Sequence, residues 1–263
     1  MCRLVAYDGA PLPLHRCIFG GEHPLFRQSW EPRELRTGSV NVDGYGLTWA
    51  PMDAPVQSPA LVRLARVEPI WHDPELPSLL RSIRSDSVLG ALRNSTPGLP
   101  VGLESVLPLR HDDRAFALNG YVPGFRSRHM RELRLPLRDD WYGRLTGVGD
   151  AETLFFRILQ SVEDGVAPEE ALARAAHAVR DRLDPEETAP LTMVLQGPEG
   201  VTALHVCWNG QANSLYLGRE TPLTPQGVFL ASEPLDGTRW DPVPPDSVVL
   251  LREGRAEVRG VRS

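Results

Sequence analysis

The 263-residue chain has no lysine; all 28 of its basic positions other than histidine are arginine. That absence removes Schiff-base and lysine-nucleophile chemistry, and with it the lysine of a Walker-type phosphate loop. Cysteine is scarce. Cys2, Cys17 and Cys207 are few and odd in number, which suits reduced thiols in a cytoplasmic enzyme rather than a disulfide framework. No apolar run approaches the roughly 18–20 residues of a membrane span, and the start lacks the basic and apolar regions of a secretion signal. Positive charge is in deficit: 34 acidic residues against 28 basic give a net charge of −6, so neither nucleic acid nor a membrane is an expected partner.

The hydrophobic content of 41% over 263 residues is enough to bury a sizeable core. Apolar runs bounded by Gly, Pro and Asp predict strands at 4–7, 46–49, 88–92, 115–118, 191–195, 202–206, 214–217, 228–231, 247–251 and 256–259. Leu154, Phe155, Ile158, Leu159 and Val162 recur at helical spacing and predict a helix over 152–162. Pro168, then Glu169 and Glu170, open a second over 168–183, with Leu172, Ala175, Ala176, Val179 and Leu183 on one stripe. A third is expected over 76–84, after Asp73-Pro74. The polar stretches 110–114 and 126–140 read as loops. Strands come early and late with the clearest helices between them. Regular βαβ alternation is missing, which points to an α+β domain over 1–263 with two mainly antiparallel sheets covered by helices.

Cys2 follows the starting methionine and is small enough for an aminopeptidase to expose it. The residue would then carry a thiol and a free α-amine. That amine has an unperturbed pKa of about 7.7–8.0, so part of it is neutral near pH 7 and can act as general base for its own thiol. The following run Leu4-Val5-Ala6-Tyr7 reads as a strand, which holds a terminus rigidly.

Five segments, in order, resemble the class II glutamine amidotransferases, a family of N-terminal-nucleophile hydrolases. They are Met1-Cys2-Arg3-Leu4; Asn41-Val42-Asp43-Gly44-Tyr45-Gly46; Arg93-Asn94-Ser95-Thr96-Pro97-Gly98; Asn119-Gly120; and Gly147-Val148-Gly149-Asp150-Ala151-Glu152. The stretches 24–30 and 230–236 resemble the small standalone branch of that family, which includes the ergothioneine-pathway amidohydrolase that removes glutamate from a γ-glutamyl-hercynylcysteine sulfoxide. The resemblance implies a four-layer α/β/β/α sandwich. It also implies Cys2 as nucleophile and an oxyanion hole from the Asn119 side chain and the Gly120 N–H. Arg93 would clamp the substrate α-carboxylate, Thr96 would add a hydroxyl and Asp150 would accept from the α-ammonium. No metal or organic cofactor is required. Glu152 reads as a first-turn helix charge.

The chain departs from the common family pattern at Ala117-Leu118, where a His or Ser-His often precedes the Asn-Gly pair. It departs again at Pro97, where sugar-phosphate synthases place a His. The expected activity is cysteine-dependent cleavage of a γ-glutamyl amide, and the resemblance implies a thiohistidine precursor of the ergothioneine kind as substrate. The alternatives are a glutaminase subunit feeding ammonia to a separate synthase, and a noncatalytic γ-glutamyl-binding relative. Trp30, Arg33, Tyr45 and Trp49 are candidates for contacting the leaving group. His15-X-Cys17 and His205-X-Cys207 would give four soft ligands if they met, but structural zinc shows wider, patterned pairs. Cys207 reads instead as a small buried hydrophobe.

The mature protein is expected to lack Met1. Intact-protein mass spectrometry should find it lighter by one methionine residue, and one equivalent of a glutamine-analogue electrophile should add at Cys2. A retained methionine would block the amine and exclude this use of it.

Overall fold

Alternation along the first strand sets the layering. In β1 (Arg3–Pro13), Leu4 and Ala6 enter one core, whereas Val5 and Tyr7 enter another. Successive strand residues face opposite sides, so an unbroken apolar run means that both faces of the sheet are covered. The structure, a computed structural model, describes residues 2–36, 38, 40–52, 61–94, 102–219, 221–224 and 226–261.

β1 lies at the centre of a seven-stranded sheet with β2 (Tyr45–Trp49), β3 (Val62–Arg66), β4 (Arg84–Leu92), β9 (Tyr216–Gly218), β10 (Gly227–Ala231) and β11 (Asp241–Pro242), in spatial order β11-β9-β10-β1-β4-β2-β3. A six-stranded sheet contains β5 (Leu109–His111), β6 (Arg114–Gly120), β7 (Ala189–Gly197), β8 (Gly200–Trp208), β12 (Ser247–Arg252) and β13 (Arg255–Gly260), in order β13-β12-β8-β7-β6-β5. Every pairing within both sheets is antiparallel. The short helices α1 (Leu14–Phe19), α2 (Leu25–Gln28) and α3 (Leu76–Ser82) cover the seven-stranded sheet. On the other side α4 (Met130–Arg134) and α5 (Asp139–Tyr142) pack against α6 (Asp150–Glu163), which with α7 (Pro168–Arg180) covers the six-stranded sheet. The layers run α/β/β/α, the architecture the resemblance implies; the sequence pattern alone predicts an α+β domain with two sheets.

The larger core joins the two sheets to α6 and α7. Phe116 of β6 stacks on Phe155 of α6, ring centroids 5.5 Å apart and planes within 7°. The smaller core holds Val5, Tyr7, Val88 and Leu92 under Leu14, Ile18, Leu76 and Leu80. Among the described residues no helix is long and apolar enough to cross a membrane.

Several local expectations need correction. Residues 110–114 form no loop; they are part of the hairpin joining β5 to β6, turned at Asp112 with φ of 49°. The stretch 126–140 is largely helical: a π-type turn at Phe125–His129 runs into α4, and α5 follows. Its buried positions are Phe125, His129, Leu133, Leu137 and Trp141, one every four residues, so a thin apolar stripe holds an otherwise polar surface element. The helix expected over 76–84 stops at Ser82 because Arg84 opens β4. The strand expected over 214–217 begins only at Tyr216.

Replacing Phe116, which has no exposed surface, by Ala should cost about 3–5 kcal/mol. Urea denaturation should show the loss as a lower midpoint with little change in slope.

Candidate functional site

The site is assembled from strand ends, and the start of the chain is its most heavily tethered part. Cys2 is 9% exposed and immediately precedes β1. Arg3 is fully buried: its Nε donates to the Cys2 carbonyl at 3.0 Å and its Nη1 to Glu233 Oε1 at 3.1 Å. Burial lowers the Arg3 pKa and the Glu233 carboxylate opposes that shift. Glu233 also accepts from the main-chain N–H groups of Arg33 and Glu34 at 2.9 and 3.1 Å and lies 2.8 Å from His23 Nε2. The neighbouring Ser232 Oγ accepts from the Leu4 N–H at 3.0 Å and from Asn119 Nδ2 at 3.4 Å.

Arg93 follows β4 and is 5% exposed. Its N–H donates to the Gly44 carbonyl at 2.8 Å, and its own carbonyl accepts from the Asp43 N–H at 3.2 Å. The Asp43-Gly44 turn is therefore a backbone clamp on Arg93. Gly44 has φ of 131°, and a Cβ there would sit 2.8 Å from the Arg66 carbonyl oxygen. Thr96 lies outside the described residues.

Asn119 and Gly120 end β6. A Cβ on Gly120 would come within 1.9 Å of the Pro190 carbonyl oxygen on the paired strand, so the close approach that demands glycine here is to β7. The Asn119 side chain is fully buried and its main-chain carbonyl accepts from Asn213 Nδ2 at 2.8 Å. Asp150 is the first residue of α6, after Gly149 at the N-cap. Its Oδ1 accepts from the Ala151 N–H and its Oδ2 from the Val122 N–H, both at 2.8 Å. The carboxylate thus ties the helix to the segment leaving β6. Burial raises its pKa, opposed by these main-chain bonds.

Cys2, Arg93, Gly120 and Asp150 line one cavity of about 180 Å³. Four segments spread over 149 positions of sequence converge there. Leu118 and Gly120 of β6 line the cavity, and Asn119 lies between them in the strand. Glu152, the first-turn acid of α6 that the sequence predicts, is 6% exposed and also lines the cavity. It folds back to accept from the Thr146 N–H, the Thr146 hydroxyl and the Gly147 N–H, each at 2.8 Å, and so holds the loop before α6. Beyond Glu104, Leu109, Thr146 and Glu152 the cavity adjoins a second depression of about 260 Å³, which reaches Arg63, Arg110, His111, Arg144 and Phe156.

The four residues suggested for the leaving group do not line the cavity. Tyr45 and Trp49 belong to the smaller core, with the Tyr45 hydroxyl donating to Asp73 Oδ2 at 2.7 Å. Trp30 is 41% exposed and packs edge-on against Trp71, and Arg33 presents its main-chain N–H to Glu233. His15 and Cys17 lie on or beside α1, whereas His205 and Cys207 are on β8 of the other sheet. Cys207 is half-buried rather than core. Burial pushes the His205 pKa down to about 4, and its Nδ1 pairs with the Thr192 hydroxyl at 2.9 Å. Among the described residues no group of three or more His, Cys, Asp or Glu is arranged to hold a metal. The sequence reading assigned no role to Arg3, Ser232 or Glu233. Their only local signal is the Ser-Glu-Pro that ends an apolar strand.

The raised pKa of Asp150 fixes the sign of a pH effect. A raised carboxylate becomes protonated, and loses its attraction for an ammonium, at a higher pH than an ordinary aspartate. Affinity for any ligand whose ammonium pairs with this carboxylate should therefore fall, as pH is lowered, above the ordinary aspartate range. Titration calorimetry with glutamate across pH should show that limb, and Asp150→Asn should abolish it while weakening binding at neutral pH.

No family model matches the chain. It is 27% identical over 259 residues, covering 98% of this chain and 99% of the relative, to the γ-glutamyl-hercynylcysteine sulfoxide hydrolase of Mycolicibacterium smegmatis. It is 23% identical over 295 residues to a probable glutamine amidotransferase of Saccharomyces cerevisiae, covering 96% and 82% of the two chains. Its fold matches a glutamine aminotransferase class-II domain protein from Silicibacter pomeroyi over the whole of both chains, with a TM-score of 0.71 at 22% identity. It also matches the B. subtilis glutamine phosphoribosylpyrophosphate amidotransferase, covering 99% of this chain and 49% of that one, with a TM-score of 0.68 at 14% identity. Sequence similarity over nearly the full length and the shared two-sheet fold support a class II glutamine amidotransferase type for this chain.

Proposed function

We propose that the chain is a cysteine-dependent amidohydrolase that cleaves a γ-glutamyl amide and releases glutamate. The observation that carries this reading is the convergence of Cys2, Arg93, Gly120 and Asp150 on one cavity. A cation and an anion face a space beside a thiol, which is the complement of a γ-glutamyl group with its α-carboxylate and α-ammonium at one end and an amide at the other. Arg93 would hold the carboxylate through paired N–H donors, Thr96 would add its hydroxyl, and Asp150 would hold the ammonium.

With Met1 removed, the Cys2 amine takes the thiol proton and the thiolate attacks the amide carbon. Negative charge moves to the carbonyl oxygen, where the Gly120 N–H and the second N–H of the Asn119 amide would meet it. Collapse of the tetrahedral species breaks the C–N bond, and the leaving amine takes its proton from the Cys2 ammonium, which returns to the neutral amine. The remaining thioester is attacked by water that gives a proton to the neutral amine. Expulsion of the thiolate then frees glutamate, and the ammonium reprotonates the sulfur.

The leaving group we favour is bulky, of the thiohistidine sulfoxide kind acted on by the M. smegmatis relative. The second depression beside the cavity gives room for more than ammonia. The other reading, a glutaminase subunit serving a separate synthase, is favoured by the structural likeness to phosphoribosylpyrophosphate amidotransferase. Soluble, cytoplasmic action on a small molecule suits both.

Assay of the purified protein against glutamine and a panel of γ-glutamyl amides separates them. Efficient release of glutamate from bulky amides with little glutaminase activity is the expected result; ammonia release from glutamine, stimulated by a partner, would reverse the choice. Cys2→Ala should abolish turnover while still binding glutamate. Arg93→Gln should weaken binding of the γ-glutamyl group by roughly 10- to 150-fold, the equivalent of losing a charged hydrogen bond of about 1.5–3 kcal/mol.

A further inference from the structure

We infer that Ser232 is a positioning residue for this reaction, orienting the Asn119 amide relative to Cys2. The inference rests on the reading of Cys2 as nucleophile and Asn119 as oxyanion donor, and goes beyond it by assigning what aims the donor.

The register of the central strands starts the argument. β1 and β10 pair antiparallel with Val5 opposite Ala231. One step further, the Ser232 N–H donates to the Leu4 carbonyl at 3.0 Å, so Ser232 stands across from Leu4. Residues directly opposite in a sheet share a face, and so do residues two apart on one strand. Ser232 therefore points to the side of Leu4 and Cys2, into the space between the two sheets. Asn119 reaches the same space from the six-stranded sheet.

One oxygen atom then joins three parts of the site. Ser232 Oγ accepts from the Leu4 N–H, two residues from the thiol, and from Asn119 Nδ2, one residue before Gly120. Both side chains are fully buried. Among the described residues Ser232 is the one hydrogen-bond partner of the Asn119 side chain, because its Oδ1 is buried without any. An amide is planar, so fixing one N–H on Ser232 fixes where the other points. Asn213 holds only the Asn119 main-chain carbonyl and cannot set that direction. The next residue, Glu233, holds Arg3 and through it the Cys2 carbonyl. The Ser232-Glu233 dipeptide thereby places donor and nucleophile in one frame.

Ser232→Ala removes the aim but not the donor. Loss of an oxyanion donor costs roughly 10²–10³ in rate, so a loosened one should lower kcat by about tenfold to a hundredfold. KM for a γ-glutamyl amide should stay within about twofold, because Arg93 and Asp150 lie at the other end of the group. Ser232→Thr keeps the oxygen and should recover most of the rate. Glutamate γ-semialdehyde, which forms a tetrahedral adduct with a thiol, should bind Ser232→Ala more weakly by the same factor as the fall in kcat/KM, while glutamate itself binds unchanged. A Ser232→Ala enzyme as fast as the parent would overturn the inference, as would an equal loss of glutamate and semialdehyde affinity, which marks a merely structural role. Turnover by Cys2→Ala at the parental rate would instead bring down the underlying hydrolase reading and this inference with it. An inactive Cys2→Ala beside a fully active Ser232→Ala removes the inference alone.

Discussion

A buried ion pair between Arg3 and Glu233 holds the start of this chain, and the geometry of the cavity follows from it. Removing two charges from water is expensive, and their attraction offsets that only when the remaining donors and acceptors are also satisfied. Glu233 meets the condition, with Arg3, His23 and two consecutive main-chain N–H groups around its two oxygens; Arg3 meets it in part, since its Nη2 is buried without a partner. Arg3 passes the constraint on through its Nε to the Cys2 carbonyl. An apolar pair of the same volume would pack as well but would not direct a hydrogen bond at the residue before the strand. Breaking such a pair from one side typically costs about 3–5 kcal/mol because the partner charge is left buried. Here the loss would fall on the part of the chain that has least sequence to hold it.

Around that fixed terminus, the fold supplies strand ends. The antiparallel register carries β4 to Arg93 beside the start of β1, pairing Leu92 with Arg3. β6 ends at Gly120, opposite Leu191, and the glycine is required because any side chain would strike the Pro190 carbonyl. Asp150 then bonds the N–H of Val122, two residues further on. Each recognition group is therefore one or two residues from a hydrogen-bonded ladder. Ladders tolerate little displacement, which is what a site needing fixed geometry requires.

Much of this was legible in the sequence, for identifiable reasons. Strands buried on both faces read as apolar runs, so β1, β4, β7, β8 and β12 stood out. β3 was missed because it is an edge strand carrying Arg63 and Arg66, and β5 because three residues are too few to show a period. The helical turns after Phe125 were hidden by six arginines between 126 and 144, although the four-residue spacing of Phe125, His129, Leu133, Leu137 and Trp141 was there to be read. The resemblance named residues that the fold brings together. It gave no account of Arg3, Ser232 and Glu233, whose importance lies in contacts across more than a hundred positions of sequence that no local pattern encodes. Glu152 is the first-turn acid the sequence predicts, but its contacts were hidden for a related reason. A first-turn acid normally faces water, and only the structure shows it curling back onto Thr146 and Gly147.

The two acids at the start of α6 divide the electrostatic work. Glu152 has its oxygens occupied by three donors, with Arg134 at 3.8 Å, so its charge is already answered and it can serve as a fixed wall. Asp150 has one main-chain donor on each oxygen and is held above the ordinary carboxylate range by burial. Burial works against its ionised form, so on the proposed reading a substrate ammonium would supply positive charge there and favour ionisation of the acid. Binding and proton release are then linked, and a ligand lacking the α-ammonium forfeits both. Arg93 cannot make that distinction, because a guanidinium has only donors and no acceptor for an ammonium. On the proposed reading, discrimination for a free γ-glutamyl amine would fall to Asp150, while Arg93 would supply attraction for the carboxylate beside it.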